Sequence, residues 1–224
     1  MTYPTFSRLP KHIGIIPDGN RRWAEQRGLT KDKGYDFGIE PGLRFYQACL
    51  NLGIEEITYY GFTQDNTKRP QVQREAFQKA CIDSVKVLEK FNANLLVVGN
   101  TRSPMFPREL MPYTEKRISL GNSSIKVNFL VNYSWQWDIY NAFINKNNGN
   151  VKRNNLLNLI GSSEISRIDL VVRWGGRRRL SGFLPVQTIY SDFYIIDELW
   201  PDYNDEQFYT ALTWYQQQDI TLGG

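Results

Sequence analysis

One histidine and two cysteines are all that this 224-residue chain offers of the side chains that most often bind zinc. With His12 alone, histidine-based metal centres and Ser-His-Asp triads are not expected, and His12, at the start of an apolar run, reads as structural. Cys49 and Cys81 form no C-x-x-C pair and read as reduced, buried, small hydrophobes of a cytoplasmic protein. Long apolar runs are also lacking: no window could span a bilayer, and MTYPTFSRLPK has no apolar centre of the kind a signal peptide carries. There is no P-loop and no G-x-G-x-x-G. There is also no helix-turn-helix, zinc-finger or RNP-like pattern, so nucleic acid is not the expected partner.

Hydrophobic residues make up 41% of the chain, enough for one domain, 1–224, with a real core. The net charge of +4 suggests an anionic partner only weakly, but its distribution says more. Arginines cluster at 21–22 and again at 173, 177, 178 and 179, a pattern that suits a small phosphorylated substrate.

Apolar β-type runs recur at 13–16, 55–60, 95–98, 125–131 and 168–172, with a shorter one at 193–196. Segments of helical period lie between them: FGIEPGLRFYQACLNLG, QVQREAFQKACIDSVKVLEKF, PRELMPYTEKRISL and DEQFYTALTWYQQQ. The alternation predicts an α/β fold, an open, mostly parallel six-stranded sheet with helices on both faces. In such sheets ligands collect at the carboxyl ends of the strands. Three polar loops fall there, around Asp18, after residue 60 and after residue 173.

The first loop, PDGNRRW, follows a strand and opens a helix. Asp18 read blandly is a turn and N-cap residue. That reading leaves Arg21 and Arg22 unexplained. A diphosphate would use free N–H groups and an arginine, and a carboxylate beside it calls for a cation between them, most simply Mg²⁺. The third loop, RWGGRRRLSG, offers Arg173 and Arg179 as forks for phosphate oxygens, Ser181 as a further donor and Arg177 as added positive charge. In GFTQDNTKRP, Asn66 and Arg69 are candidate substrate contacts. Tyr35, Trp135, Trp137 and Trp174 read as core or rim aromatics.

These residues closely resemble the cis-prenyltransferases, typified by undecaprenyl diphosphate synthase. HIGIIPDGNRRWA matches the family's opening motif, and DLVVRWGGRRRLSGFL, IYSDFY and ELWPDY match its closing block. The resemblance implies a homodimer with a hydrophobic tunnel in each subunit. It also implies Mg²⁺-dependent transfer of an allylic prenyl group to isopentenyl diphosphate, with a cis double bond formed. It gives Asp18 the role of assisting departure of the allylic diphosphate through Mg²⁺, and Asn66 a place in the catalytic set. Gly19, Asn20, Arg22 and Lys31 would hold that diphosphate. Arg173, Arg179 and Ser181 would hold the second, with Asp192 supporting the metal.

Most of the departures from the family surround the second site. Thr67 replaces a tryptophan, Trp174 a threonine and Arg177 a glutamate. NYSWQ replaces NYGGR, Tyr35 a histidine, and Thr221-Leu222-Gly223 an Arg-x-Gly. Ordinary chain elongation is therefore weighed against head-to-middle coupling of two allylic diphosphates, prenylation of a non-diphosphate acceptor, and a non-catalytic phosphate or nucleic-acid binding protein. Phe129, Trp135 and Trp137 fall in segments expected to line or cap the tunnel, which predicts short products of about two to five isoprene units.

Overall fold

A computed structural model describes residues 4–122, 125–144, 151–152 and 155–219. Strand β1 (His12–Ile16) is buried at every position and lies between β2 (Glu56–Tyr60) and β6 (Leu170–Arg173). Beyond β2 come β5 (Lys126–Leu130), β3 (Ala93–Val98) and β4 (Ile118–Leu120); beyond β6 comes β7 (Asp192–Ile195). All neighbours are parallel except β3 and β4. Near-continuous apolar strands suit this arrangement, because both faces of the sheet are covered.

The expected six strands are thus seven. The added one, β4, comes from the tail of PRELMPYTEKRISL, which is not a helix. Pro112 ends up in a short 3₁₀ turn, Arg108–Tyr113, and the chain then returns antiparallel along β3. The other helical segments form: α1 (Asn20–Gln26), α2 (Ile39–Leu52), α3 (Gln71–Leu88) and α6 (Asp205–Tyr215). Helix α2 stops at Gly53, whose φ of +75° suits glycine. Helices α4 (Trp135–Ile144) and α5 (Leu156–Leu159) complete the set.

One face of the sheet, bearing Ile13, Ile15, Ile57, Val127 and Val172, packs against α2, α3 and α6 in the main core. The other face carries a smaller apolar cluster around Tyr60, Leu130, Phe183 and Leu184. At the amino ends of its strands it also holds a buried polar group. Thr58 donates to Nε2 of His12 (2.8 Å) and accepts from the Asn128 amide (2.9 Å). His12 Nδ1 donates to the Ser166 carbonyl (3.1 Å), and Asn128 also donates to Glu56 (2.7 Å). Burial holds the His12 ring below its ordinary value of 6.5, so the folded state keeps it neutral. The unfolded chain takes up this proton near pH 6.5 and the folded one only at lower pH, so stability falls as pH drops through that value. The melting temperature is expected to fall between pH 7 and pH 5, and a His12→Gln variant to show a flatter profile. An unchanged slope in that variant would assign the acid sensitivity to other groups.

Cys49 and Cys81 are free and buried, on α2 and α3. No helix among the described residues is long and apolar enough to cross a membrane. Residues 221–223 lie outside the described residues.

Candidate active site

The chain leaves β1 for β2 on one side, while β6 and β7 lie on the other. The carboxyl ends of β1 and β6 therefore meet at a switch point of the sheet, where Ile16 pairs with Arg173. Asp18 stands just past the first of these ends. Its carbonyl accepts from the Trp200 N–H (3.0 Å), which ties the loop to the segment after β7. Gly19 turns the chain at φ +115°, and a Cβ there would lie 2.8 Å from the Leu199 side chain, so only glycine fits.

Arg173 is the centre of the site and is 3% exposed. Its Nη2 donates to Asp18 Oδ2 (2.7 Å) and its Nη1 to Ser181 Oγ (3.0 Å) and to the Arg179 carbonyl. Arg22 lies 3.6 Å from the other Asp18 oxygen and donates to the Gly175 carbonyl (2.9 Å). Asp18 thus links the two arginine clusters. Around it opens a mouth lined by seven cationic side chains, Arg21, Arg22, Lys31, Arg69, Arg173, Arg177 and Arg179, against the carboxylates of Asp18, Glu25 and Asp65. That imbalance makes the mouth a receptor for polyanions.

Every site residue expected from the sequence lines this mouth except Asp192. Gly19, Asn20, Asn66 and Ser181 are there with the cations. Asn66, however, spends its side-chain oxygen on the Thr63 N–H (3.0 Å), capping its own turn, so only its amide nitrogen is left for a ligand. Asp192 stands apart from them. It begins β7 and pairs with Leu170, whereas Ile195 pairs with Arg173. That places it about 10 Å down the strand from the mouth. Burial holds its carboxyl above its ordinary value, with the Arg8 charge acting in the other direction. Within one subunit it does not meet Asp18.

Below the mouth a second cavity runs between the sheet and α2 and α3. Leu43, Tyr59, Cys81, Val87, Leu88, Phe129 and Trp200 are among its walls. Tyr35, Tyr60, Gly61 and Phe77 border both spaces and form the neck between them. Tyr35 stacks on Phe77 (4.5 Å between centroids, 3°) and accepts from Arg69 (2.7 Å). Burial raises its hydroxyl above the ordinary tyrosine value, so it stays neutral. In the wall of this cavity Tyr59 and Phe129, partners across β2 and β5, stack at 4.8 Å and 6°, and Tyr59 donates to the Gly42 carbonyl (2.9 Å).

Of the aromatics expected in the tunnel, Phe129 lines it. Trp135 is 43% exposed at the start of α4, and Trp137 packs on Tyr133 across the sheet, so neither caps the cavity. Two residues expected to reshape the second anion pocket do not face it. Trp174 follows Arg173 on the strand and so points to the opposite face, fully buried against Trp200 (4.8 Å). Thr67 donates to the Gln64 carbonyl (2.6 Å). Arg177 does line the mouth. Tyr60, Phe77, Thr63 and Glu25 were not among the expected site residues. Only Tyr60, the residue where β2 ends, carried a positional signal.

A family model described as putative undecaprenyl diphosphate synthase matches residues 16–223. The ditrans,polycis-undecaprenyl-diphosphate synthase ((2E,6E)-farnesyl-diphosphate specific) of Buchnera aphidicola is 32% identical over 96% of this chain and 91% of its own. The enzyme of the same description from Escherichia coli K12 is also 32% identical, over 100% of this chain and 95% of its own. Among solved structures, lavandulyl diphosphate synthase from Lavandula x intermedia, in complex with dimethylallyl diphosphate, shares the fold. Its TM-score is 0.82 over 96% of this chain and 98% of that one, at 22% identity.

Proposed function

Since the chain belongs to the undecaprenyl diphosphate synthase family of cis-prenyltransferases, we propose that it transfers the prenyl group of an allylic diphosphate to isopentenyl diphosphate, releasing pyrophosphate and a short-chain isoprenoid. The observation that carries this reading is the joining of two unlike spaces at one neck. A mouth with seven cations around Asp18 sits directly over a cavity walled by apolar and aromatic side chains. An allylic diphosphate has the same two halves.

In this reading the donor's diphosphate lies against Gly19, Asn20, Arg22 and Lys31, and its tail passes Tyr35 and Phe77 into the cavity. The second diphosphate lies against Arg173, Arg179 and Ser181, with Arg177 adding charge. The acceptor's alkene closes on the allylic carbon while the C–O bond breaks, that electron pair leaves with pyrophosphate, and a proton lost from the acceptor to a pyrophosphate oxygen leaves the new double bond. Arg22 and Lys31 face the negative charge as it grows, in a geometry already set by their partners.

The donor set suits Mg²⁺. Asp18 is one carboxylate, its side chain is 33% exposed, and nearby Asn20 Oδ1 is buried without a partner. No group of three His, Cys, Asp or Glu side chains that could hold a metal occurs among the described residues. This pattern favours an ion completed by substrate oxygens and water rather than an all-protein cage. Bound there, magnesium supplies charge neutralisation to the departing pyrophosphate. Tyr59 and Phe129, stacked in the cavity wall, support a short product. Exposed apolar side chains on α4 (Tyr140, Phe143) and at Ile189 and Tyr190 support a homodimer.

Pyrophosphate release is the test, with dimethylallyl, geranyl and farnesyl diphosphates, each with and without isopentenyl diphosphate. Release is expected only with isopentenyl diphosphate present, to stop on chelation of Mg²⁺ and to return on its addition. A branched product from allylic diphosphates alone would replace this reading with head-to-middle coupling, for which Arg177 is the observation in the mouth. No release from any pairing would refute transfer altogether.

A further inference from the structure

Ser181 lies at φ +54° and Gly182 at +80°, inside the loop that supplies the second anion pocket. A serine in the left-handed region costs about 1–2 kcal/mol, so its neighbours must hold it there. Two contacts do so. Arg173 donates to Ser181 Oγ (3.0 Å), which leaves the serine's own O–H available to a ligand in the mouth that Ser181 lines. Tyr60 donates its hydroxyl to the Ser181 carbonyl (2.8 Å).

Tyr60 is well placed for this. Its ring is packed by Phe183 (5.0 Å) and Tyr133 (6.3 Å), and the residue, at the end of β2, borders both the mouth and the apolar cavity. Burial raises its hydroxyl far above the ordinary tyrosine value, so it remains a donor. On the other side of the turn, a Cβ on Gly182 would lie 2.9 Å from Trp135 Cδ1 and 3.7 Å from the Tyr60 oxygen. Glycine is therefore required at 182, where the positive φ and the nearby Trp135 ring leave no place for a side chain.

We propose that Tyr60 is a positioning residue for the second substrate: its hydroxyl fixes the Ser181 carbonyl, and thereby aims the serine hydroxyl at the second diphosphate. This rests on the reading that Arg173, Arg179 and Ser181 seat that diphosphate. The Tyr60→Phe variant keeps the ring and loses the donor. Its KM for isopentenyl diphosphate is expected to rise about three- to tenfold, the worth of one hydrogen bond. The KM for the allylic diphosphate and kcat stay close to wild type. In a Ser181→Ala background the same replacement adds no further rise, because the hydroxyl it would aim is gone.

Tyr60→Leu also lacks the hydroxyl, and melting curves of both variants report whether they fold. The same split in both supports the proposal. A rise confined to Tyr60→Leu, equal rises for both substrates, or a full further rise in the Ser181→Ala background would assign the effect to packing and overturn it. If the wild-type enzyme turns over normally and Tyr60→Phe leaves the KM for isopentenyl diphosphate unchanged, the role of Tyr60 alone falls. If the wild-type enzyme releases no pyrophosphate, the underlying reading falls instead.

Discussion

Replacing Asp18 with asparagine is expected to lower kcat about a thousandfold, equivalent to roughly 4 kcal/mol of transition-state stabilisation, while the protein stays folded. The choice of variant follows from Arg173. That guanidinium is 3% exposed, and Asp18 is its only carboxylate partner among the described ion pairs. Alanine at 18 would leave a buried cation without its counter-ion, which costs about 3–5 kcal/mol when a buried pair is broken, so lost activity would be mixed with lost stability. Asparagine keeps an oxygen for the Arg173 hydrogen bond and removes the charge that the metal and leaving group need. Pyrophosphate release measured beside a melting curve separates the two effects. Wild-type turnover by Asp18→Asn would remove Asp18 from the chemistry.

Phe129→Ala is expected to lengthen the product and to destabilise the fold in the same molecule. The ring is 6% exposed and stacked on Tyr59, which is itself pinned through its hydroxyl to the Gly42 carbonyl. Truncating a buried phenylalanine costs about 3–5 kcal/mol, and the space it leaves adjoins the apolar cavity that Phe129 lines. A prenyl chain that stops against this pair in the wild type gains room for further units. Mass analysis of the products is the measurement, with Trp135→Ala as the contrast, since Trp135 lies outside the cavity and should leave product length unchanged. An unaltered length distribution in Phe129→Ala would place the limit on chain growth elsewhere.

The sequence by itself determined the alternation of strands and helices, the three loops at the carboxyl ends, and all but one of the mouth residues expected from it. These are local properties. Apolar runs of strand length, a helix stop at Gly53 and arginines bunched beside glycine turns are visible without knowing what pairs with what. Even the burial of Trp174 was legible in principle, because adjacent strand residues face opposite sides and Arg173 faces the mouth. What the tertiary structure alone decided is register and depth. Asp192 reads as a second acidic ligand, and only the pairing of β7 with β6 shows that within one subunit it lies three residues along the strand from the register of Arg173. The stretch 118–120 becomes a strand only because the edge of β3 is open to it. Tyr60, Phe77 and Tyr35 meet at the neck from three elements whose distance apart no spacing encodes. The charge of Asp18 likewise has its full meaning only once Arg173, 155 residues later in the chain, is found buried against it. Periodicity states which side of an element a residue faces, but only the packing of elements states what stands opposite.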